Sequence, residues 1–257
     1  MRTEAPVTPI TMASNLPRDC CAKTFLHSGT PTGKLETLDG VLTYVTGDKS
    51  SKNVIIFYTD VFGPVYKNSQ LLADMYAQEG YFVVVPDLFD GDYVPQNLEG
   101  FDWGAYMYKH RPEVVQAITE KTWNWIKANT SASFVGTLGY CFGARSAVRD
   151  IGNGRADSSS IFHPSFVTIE EIAAIKAPLL ISAAETDEIY TVELRQKTEE
   201  KLREIGARYV QTVYSNTSHG FACRGDPSDK LAMAAMEKAF WDTCWWFSSA
   251  RKFKNML

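Results

Sequence analysis

From Asn53 onward, short apolar runs alternate with segments of helical periodicity, and this alternation constrains the fold more than any other feature of the chain. Asn53-Val-Ile-Ile-Phe-Tyr58 and the run over 81–85 are unbroken and rich in β-branched and aromatic residues. A strand with one wet face alternates polar and apolar residues, whereas an unbroken run has both faces covered, as in a parallel sheet. Further strands are expected over 41–46, 133–138, 177–182 and 209–214, with a short one ending at Ile161-Phe162. The spacing predicts helices over 69–79, 112–129, the stretch after Gly143, 191–205 and 228–249. In the first of these, Leu71, Leu72, Met75 and Tyr76 share one side and Gly80 supplies the stop. Pro112 suits the first turn of the second. Such alternation implies βαβ units, hence an α/β fold with a mostly parallel central sheet and helices on both faces.

A chain of 257 residues suits one such domain. We expect an N-terminal arm over 1–28, loose in its first 22 residues, where Pro6, Pro9 and Pro17 fall, and a single domain over 29–257. Residues 87–110, rich in Gly, Asp and aromatics, read as a lid or substrate loop. Trp241, Trp245 and Trp246 share helical spacing and are expected in the core.

Composition narrows the function. The net charge of −4 argues against a nucleic-acid or anionic-membrane partner, since both favour a basic face. No stretch approaches the roughly 18 apolar residues needed to cross a bilayer. The segment from Met1 to Pro17 lacks the apolar core of a secretion signal, and Met12 is an alternative start. Five cysteines, an odd number with irregular spacing, fit neither a disulfide framework nor a zinc motif. Cys20 and Cys21 read as two ordinary thiols, and together these features point to a reducing, cytoplasmic setting. No metal or organic cofactor is implied, and the oligomeric state is left open.

The most informative residues are Gly139-Tyr-Cys-Phe-Gly143, between a strand and a helix. A nucleophile at the apex of a sharp strand-to-helix turn needs small flanking residues to avoid its neighbours, and G-x-C-x-G supplies them. The helix behind Cys141 aims its N-terminal dipole at the sulfur and favours thiolate. The alternative is a buried structural cysteine between packing glycines. A thiol nucleophile requires a base and a group that orients the base. His219, in the loop after the last strand, fits the base. Asp187, after the strand ending at Ser182, is the preferred acid over its neighbours Glu185 and Glu188. The order nucleophile, acid, histidine is that of the α/β-hydrolase fold.

These residues, with Pro86-Asp-Leu-Phe89 and Trp246-Phe247, resemble the dienelactone hydrolases over residues 30–250. The segment with Cys20-Cys21 and 29–33 looks like the fungal branch. The resemblance implies Cys141 as nucleophile, His219 as base and Asp187 as orienter. It also implies a carboxylate contacting the resting thiol, here Asp60 in Thr59-Asp-Val-Phe-Gly63 where the family has glutamate. The oxyanion donors would be the amides of Val61 and Phe142. Arg224 falls where family members hold a substrate carboxylate, although a second expected arginine is replaced by Phe89-Asp-Gly-Asp-Tyr93. Asp60 could instead tie down its own loop, and Arg224 could be an ordinary surface residue. His163 could line the pocket or be a hydrogen-bonded loop histidine. The aromatics Phe89, Tyr93, Phe101, Trp103, Tyr106 and Tyr108 could wall a ligand or pack their own segment.

The reaction this implies is hydrolysis of a small lactone or ester through a thioester on Cys141. Two other readings stay open: a non-hydrolytic isomerase or cyclase on the same scaffold, and a ligand-binding protein without catalysis.

Overall fold

The computed structural model describes residues 10–254, apart from the side chain of Phe253. Met1, Pro6 and Pro9 of the expected arm lie outside the described residues. Eight strands form one sheet: β1 (Lys34–Leu38), β2 (Val41–Thr46), β3 (Asn53–Tyr58), β4 (Phe82–Pro86), β5 (Phe134–Tyr140), β6 (Ser158–Phe162), β7 (Leu179–Thr186) and β8 (Tyr209–Ser218). Their spatial order is β1-β2-β4-β3-β5-β6-β7-β8. β2 runs antiparallel to both β1 and β4, and the six strands from β3 to β8 are mutually parallel.

The unbroken apolar runs are explained by cover on both faces. Val54, Ile56 and Tyr58 of β3 point into one core, while Ile55 and Phe57 point into the other. The first core is closed by α3 (Pro112–Asn129), α4 (Ala144–Gly152), α5 (Ile169–Ala173) and α6 (Val192–Glu204). The second is closed by α1 (Lys67–Gln78), the one-turn α7 (Phe221–Arg224) and α8 (Lys230–Lys254), with Leu72, Tyr76, Phe221, Phe240 and Phe247 among its buried residues. Burying a large apolar side chain contributes about 1.5–3 kcal/mol, so a one-residue slip of β3 would exchange two filled cores for two mismatched ones.

Several elements differ from expectation. β1 was not visible in the sequence because Lys34-Leu-Glu-Thr37 is an exposed edge with no apolar face. β6 is fully buried although it begins with three serines. Its hydroxyls are satisfied by Pro178 O, Ala147 O and Thr243 Oγ1 at 3.1, 2.9 and 2.8 Å. Within 87–110 a short helix, α2 (Trp103–Lys109), forms with Asp102 as its cap. Trp246 is buried at 3% exposure, but Trp241 and Trp245 are 48% and 64% exposed. They lie on the outer side of α8, so the expectation of three core tryptophans holds for one.

The first 22 residues are not loose where they are described. Met12 pairs with Thr168, and the amides of Ala13 and Ser14 donate to Val167 O. Asp19–Ala22 forms a 3-10 turn that brings Cys21 to 0% exposure within the first core. Trp103 Nε1 donates to Asp19 Oδ1 at 2.7 Å, tying this turn to α2.

Candidate active site

Cys141 follows β5 directly and opens a 3-10 turn, Cys141–Gly143, that leads into α4. Its φ of 49° is one that L residues rarely adopt, and the surrounding backbone imposes it. A Cβ on Gly139 would lie 2.5 Å from Ala144 Cα, and one on Gly143 would lie 2.3 Å from Tyr58 O. Both flanking glycines are therefore required sterically. The second contact also fixes the turn against the end of β3, whose following loop carries Asp60 and Val61.

β7 and β8 deliver the other two residues to the same edge of the sheet, beyond their carboxyl ends. His219 Nε2 lies 3.1 Å from Cys141 Sγ. Its Nδ1 lies 2.9 and 3.0 Å from the two oxygens of Asp187. Asp187 Oδ1 also accepts from the amides of Ile189 and Tyr190 at 2.8 and 3.1 Å. Asp187 is buried while Glu185 and Glu188 are exposed, and Glu185 is occupied with the Asn216 amide.

Burial opposes charge on the Cys141 sulfur, but hydrogen bonds from Cys21 and His163 and the neighbouring His219 outweigh it. The thiol is held well below its ordinary value. Burial likewise opposes charge on His219, yet the Cys141 sulfur and Asp187 raise it to about 10. Both shifts favour thiolate on Cys141 and imidazolium on His219, the state in which Nε2–H would donate to sulfur and Nδ1–H to Asp187. Two further groups complete the surroundings. Ser165 Oγ lies 3.4 Å from Cys141 Sγ, and the His163 ring stands edge-on to His219 with centroids 4.9 Å apart. His163 is fully buried with its Nδ1 unpartnered among the described residues.

A model of the dienelactone hydrolase family matches residues 41–251. The chain belongs to the dienelactone hydrolase family. Hydrolase tropI of Talaromyces stipitatus is 37% identical over 254 residues, covering 95% of this chain and 100% of that one. Dienlactone hydrolase 1 of Gibberella moniliformis is 34% identical over 238 residues, covering 86% and 89%. The crystal structure of a proposed dienelactone hydrolase from Klebsiella pneumoniae superposes with a TM-score of 0.70 at 18% identity, covering 84% and 98% of the two chains. The family is one of hydrolases, and its fold is the α/β-hydrolase architecture described above.

Against that family pattern, two expected site residues are engaged elsewhere. Asp60 Oδ2 lies 2.7 Å from Arg224 Nε and 3.3 Å from Cys223 Sγ, and Oδ1 accepts from the Phe62 amide at 3.0 Å. These contacts replace the thiol contact that the resemblance implies, because the aspartate is short and Arg224 takes its charge. Arg224 is itself not a surface residue: its side chain is 1% exposed, it donates from Nη1 to Lys23 O, and it packs over Phe62. Its Nη2 has no hydrogen-bond partner among the described residues. The contact with Asp60 satisfies charge rather than hydrogen-bond direction. Val61 and Phe142 are buried in the same core as Cys141, Phe142 next to it in sequence and Val61 in the loop after β3.

Sequence reasoning missed Cys21 and Ser165. Cys21 Sγ lies 3.3 Å from His219 Nε2, so the arm lays a second thiol beside the Cys141–His219 pair. No local motif signals this, since the two residues are 198 apart in the chain. The aromatics of 87–110 mostly pack together. Phe89 meets Phe142 at 4.9 Å and Tyr106 at 6.0 Å between ring centroids, while Tyr108 is exposed. Asp87 holds this loop through the amides of Phe89 and Gly91 and the hydroxyl of Tyr93, each at 2.8 Å. Among the described residues no helix is long and apolar enough to cross a membrane.

Proposed function

We propose that the chain hydrolyses a small lactone or ester through a thioester on Cys141, with His219 as acid and base and Asp187 as its orienter. The observation that carries this reading is the 3.1 Å contact between Cys141 Sγ and His219 Nε2, with Nδ1 seated on Asp187. The thiolate attacks the substrate carbonyl, and the oxyanion forms against the amides of Val61 and Phe142. Collapse of the tetrahedral species breaks the carbon–oxygen bond, and the leaving oxygen takes the proton from His219 Nε2. Neutral His219 then removes a proton from water, which attacks the thioester and releases the acid. Breaking the carbon–sulfur bond expels the Cys141 thiolate, and His219 keeps the proton taken from water, so the pair is restored. Asp187 holds the ring and stabilises the imidazolium without taking the proton.

Neutralisation of Arg224 by Asp60 supports an uncharged substrate rather than an anionic lactone. A panel of neutral and carboxylate-bearing lactones, assayed with the wild type and Cys141→Ala, tests both parts. The expected result is turnover of neutral lactones or esters that disappears in the variant. Turnover that survives in Cys141→Ala would remove the covalent mechanism, and a preference for carboxylate-bearing lactones would remove the assignment of substrate charge.

A further inference from the structure

Three soft donor atoms converge where the arm meets the nucleophile. Cys21 Sγ and Cys141 Sγ lie 3.3 and 3.1 Å from His219 Nε2, and all three atoms lie within 4.8 Å of one another. All three residues are buried. Zinc binds thiolate at about 2.3 Å and imidazole at about 2.0–2.1 Å, so tetrahedral geometry separates such donors by about 3.6–3.8 Å. Shifts of a few tenths of an ångström bring both sulfur–nitrogen separations to those values. The other ring nitrogen is already held by the Asp187 carboxylate, the outer-sphere arrangement that orients histidines bound to metal. Thiolate and imidazole donors select soft or borderline cations over magnesium or calcium. We infer that Cys21, Cys141 and His219 form a binding site for one divalent cation of the zinc type.

The sequence carries no zinc motif, because the arm supplies one ligand and the ends of β5 and β8 the other two. Cys21 defines the site: without it, the nucleophile and its base provide only two donors. A bound cation ties up the sulfur that would attack a carbonyl, so metal binding and acylation exclude each other.

The test titrates reduced, metal-free protein with cobalt(II) and then zinc(II). One equivalent of cobalt is expected to produce thiolate-to-cobalt charge-transfer absorption, zinc to displace it, and the loaded protein to resist alkylation of Cys141 by iodoacetamide. Cys21→Ala should weaken zinc binding by more than about 100-fold, beyond the 10–100-fold typical of losing an outer-sphere partner. Cys20→Ala, which removes the neighbouring thiol outside the triangle, should bind as the wild type does. Should Cys21→Ala fail to fold, Cys141→Ala removes a ligand from the opposite side and must show the same loss. Absence of the thiolate band, or zinc affinity unchanged by loss of Cys21 or Cys141, overturns the inference. Acylation of Cys141 without a metal site would sink this inference alone, and a metal site without acylation would sink only the catalytic one.

Discussion

Replacing Arg224 by methionine separates a structural arginine from one that binds substrate. The Arg224 and Asp60 side chains are 1% and 2% exposed, with Nε and Oδ2 2.7 Å apart. Opposite charges about 4 Å apart attract by about 4 kcal/mol at an effective dielectric near 20. Desolvating each ion costs several kcal/mol, so the intact pair is close to neutral for stability. Removing one member leaves the other buried and uncompensated, which costs about 3–5 kcal/mol. Arg224→Met should therefore lower the unfolding free energy by about that amount and the thermal midpoint by on the order of 10 °C. Asp60→Asn added to Arg224→Met removes the stranded charge and keeps an acceptor for the Phe62 amide, so it should recover most of the loss. Urea unfolding followed by tryptophan fluorescence measures both. A loss below about 1 kcal/mol in Arg224→Met, or a double variant no more stable than the single, would show that no stranded charge is left behind.

Two other predictions follow from the site. Gly143→Ala places a Cβ 2.3 Å from Tyr58 O and 2.7 Å from Thr59 O, both backbone atoms, so the turn must shift. We expect about 1–3 kcal/mol lower stability, read by urea unfolding, and about 100-fold slower turnover, because a displacement near 1 Å misaligns the nucleophile. The pH profile of kcat/KM should follow the pair. Cys141 is lowered, so thiolate persists well below pH 9.0, and His219 is raised, so its proton persists up to about pH 10. Activity should be flat through neutrality, fall in acid as sulfur is protonated, and fall again near pH 10 as the imidazolium is lost. A rate that climbs steadily towards pH 9 would indicate an ordinary thiol.

What could be read in the sequence depended on whether a residue's neighbours were close along the chain. The strands β3 and β4 declared themselves because both faces of each are apolar, which only a covered parallel strand requires. Of β6 only the apolar end, Ile161-Phe162, is legible, because its three serines look solvated until Pro178, Ala147 and Thr243 arrive from other elements. Gly139 and Gly143 were legible because the steric demand of the turn is local. The choice of Asp187 over Glu185 and Glu188 rested on chain order, and the burial of Asp187 alone among the three accords with it. The family resemblance puts Asp60 and Arg224 in contact with thiol and substrate. Their mutual attraction across 2.7 Å is invisible without the fold, since it depends on the end of β3 meeting the short helix Phe221–Arg224 after β8. The same is true of Cys21, where a segment read as a loose arm supplies a thiol to the centre of the site.

If Cys141 is the acylating nucleophile, intact-mass spectrometry after brief exposure to p-nitrophenyl acetate will catch the acyl-enzyme. The expected result is a single acetyl adduct on the wild type, mapped to Cys141, that decays as nitrophenol is released and is absent from Cys141→Ala. An adduct on any other residue, or nitrophenol release undiminished in Cys141→Ala, would contradict it.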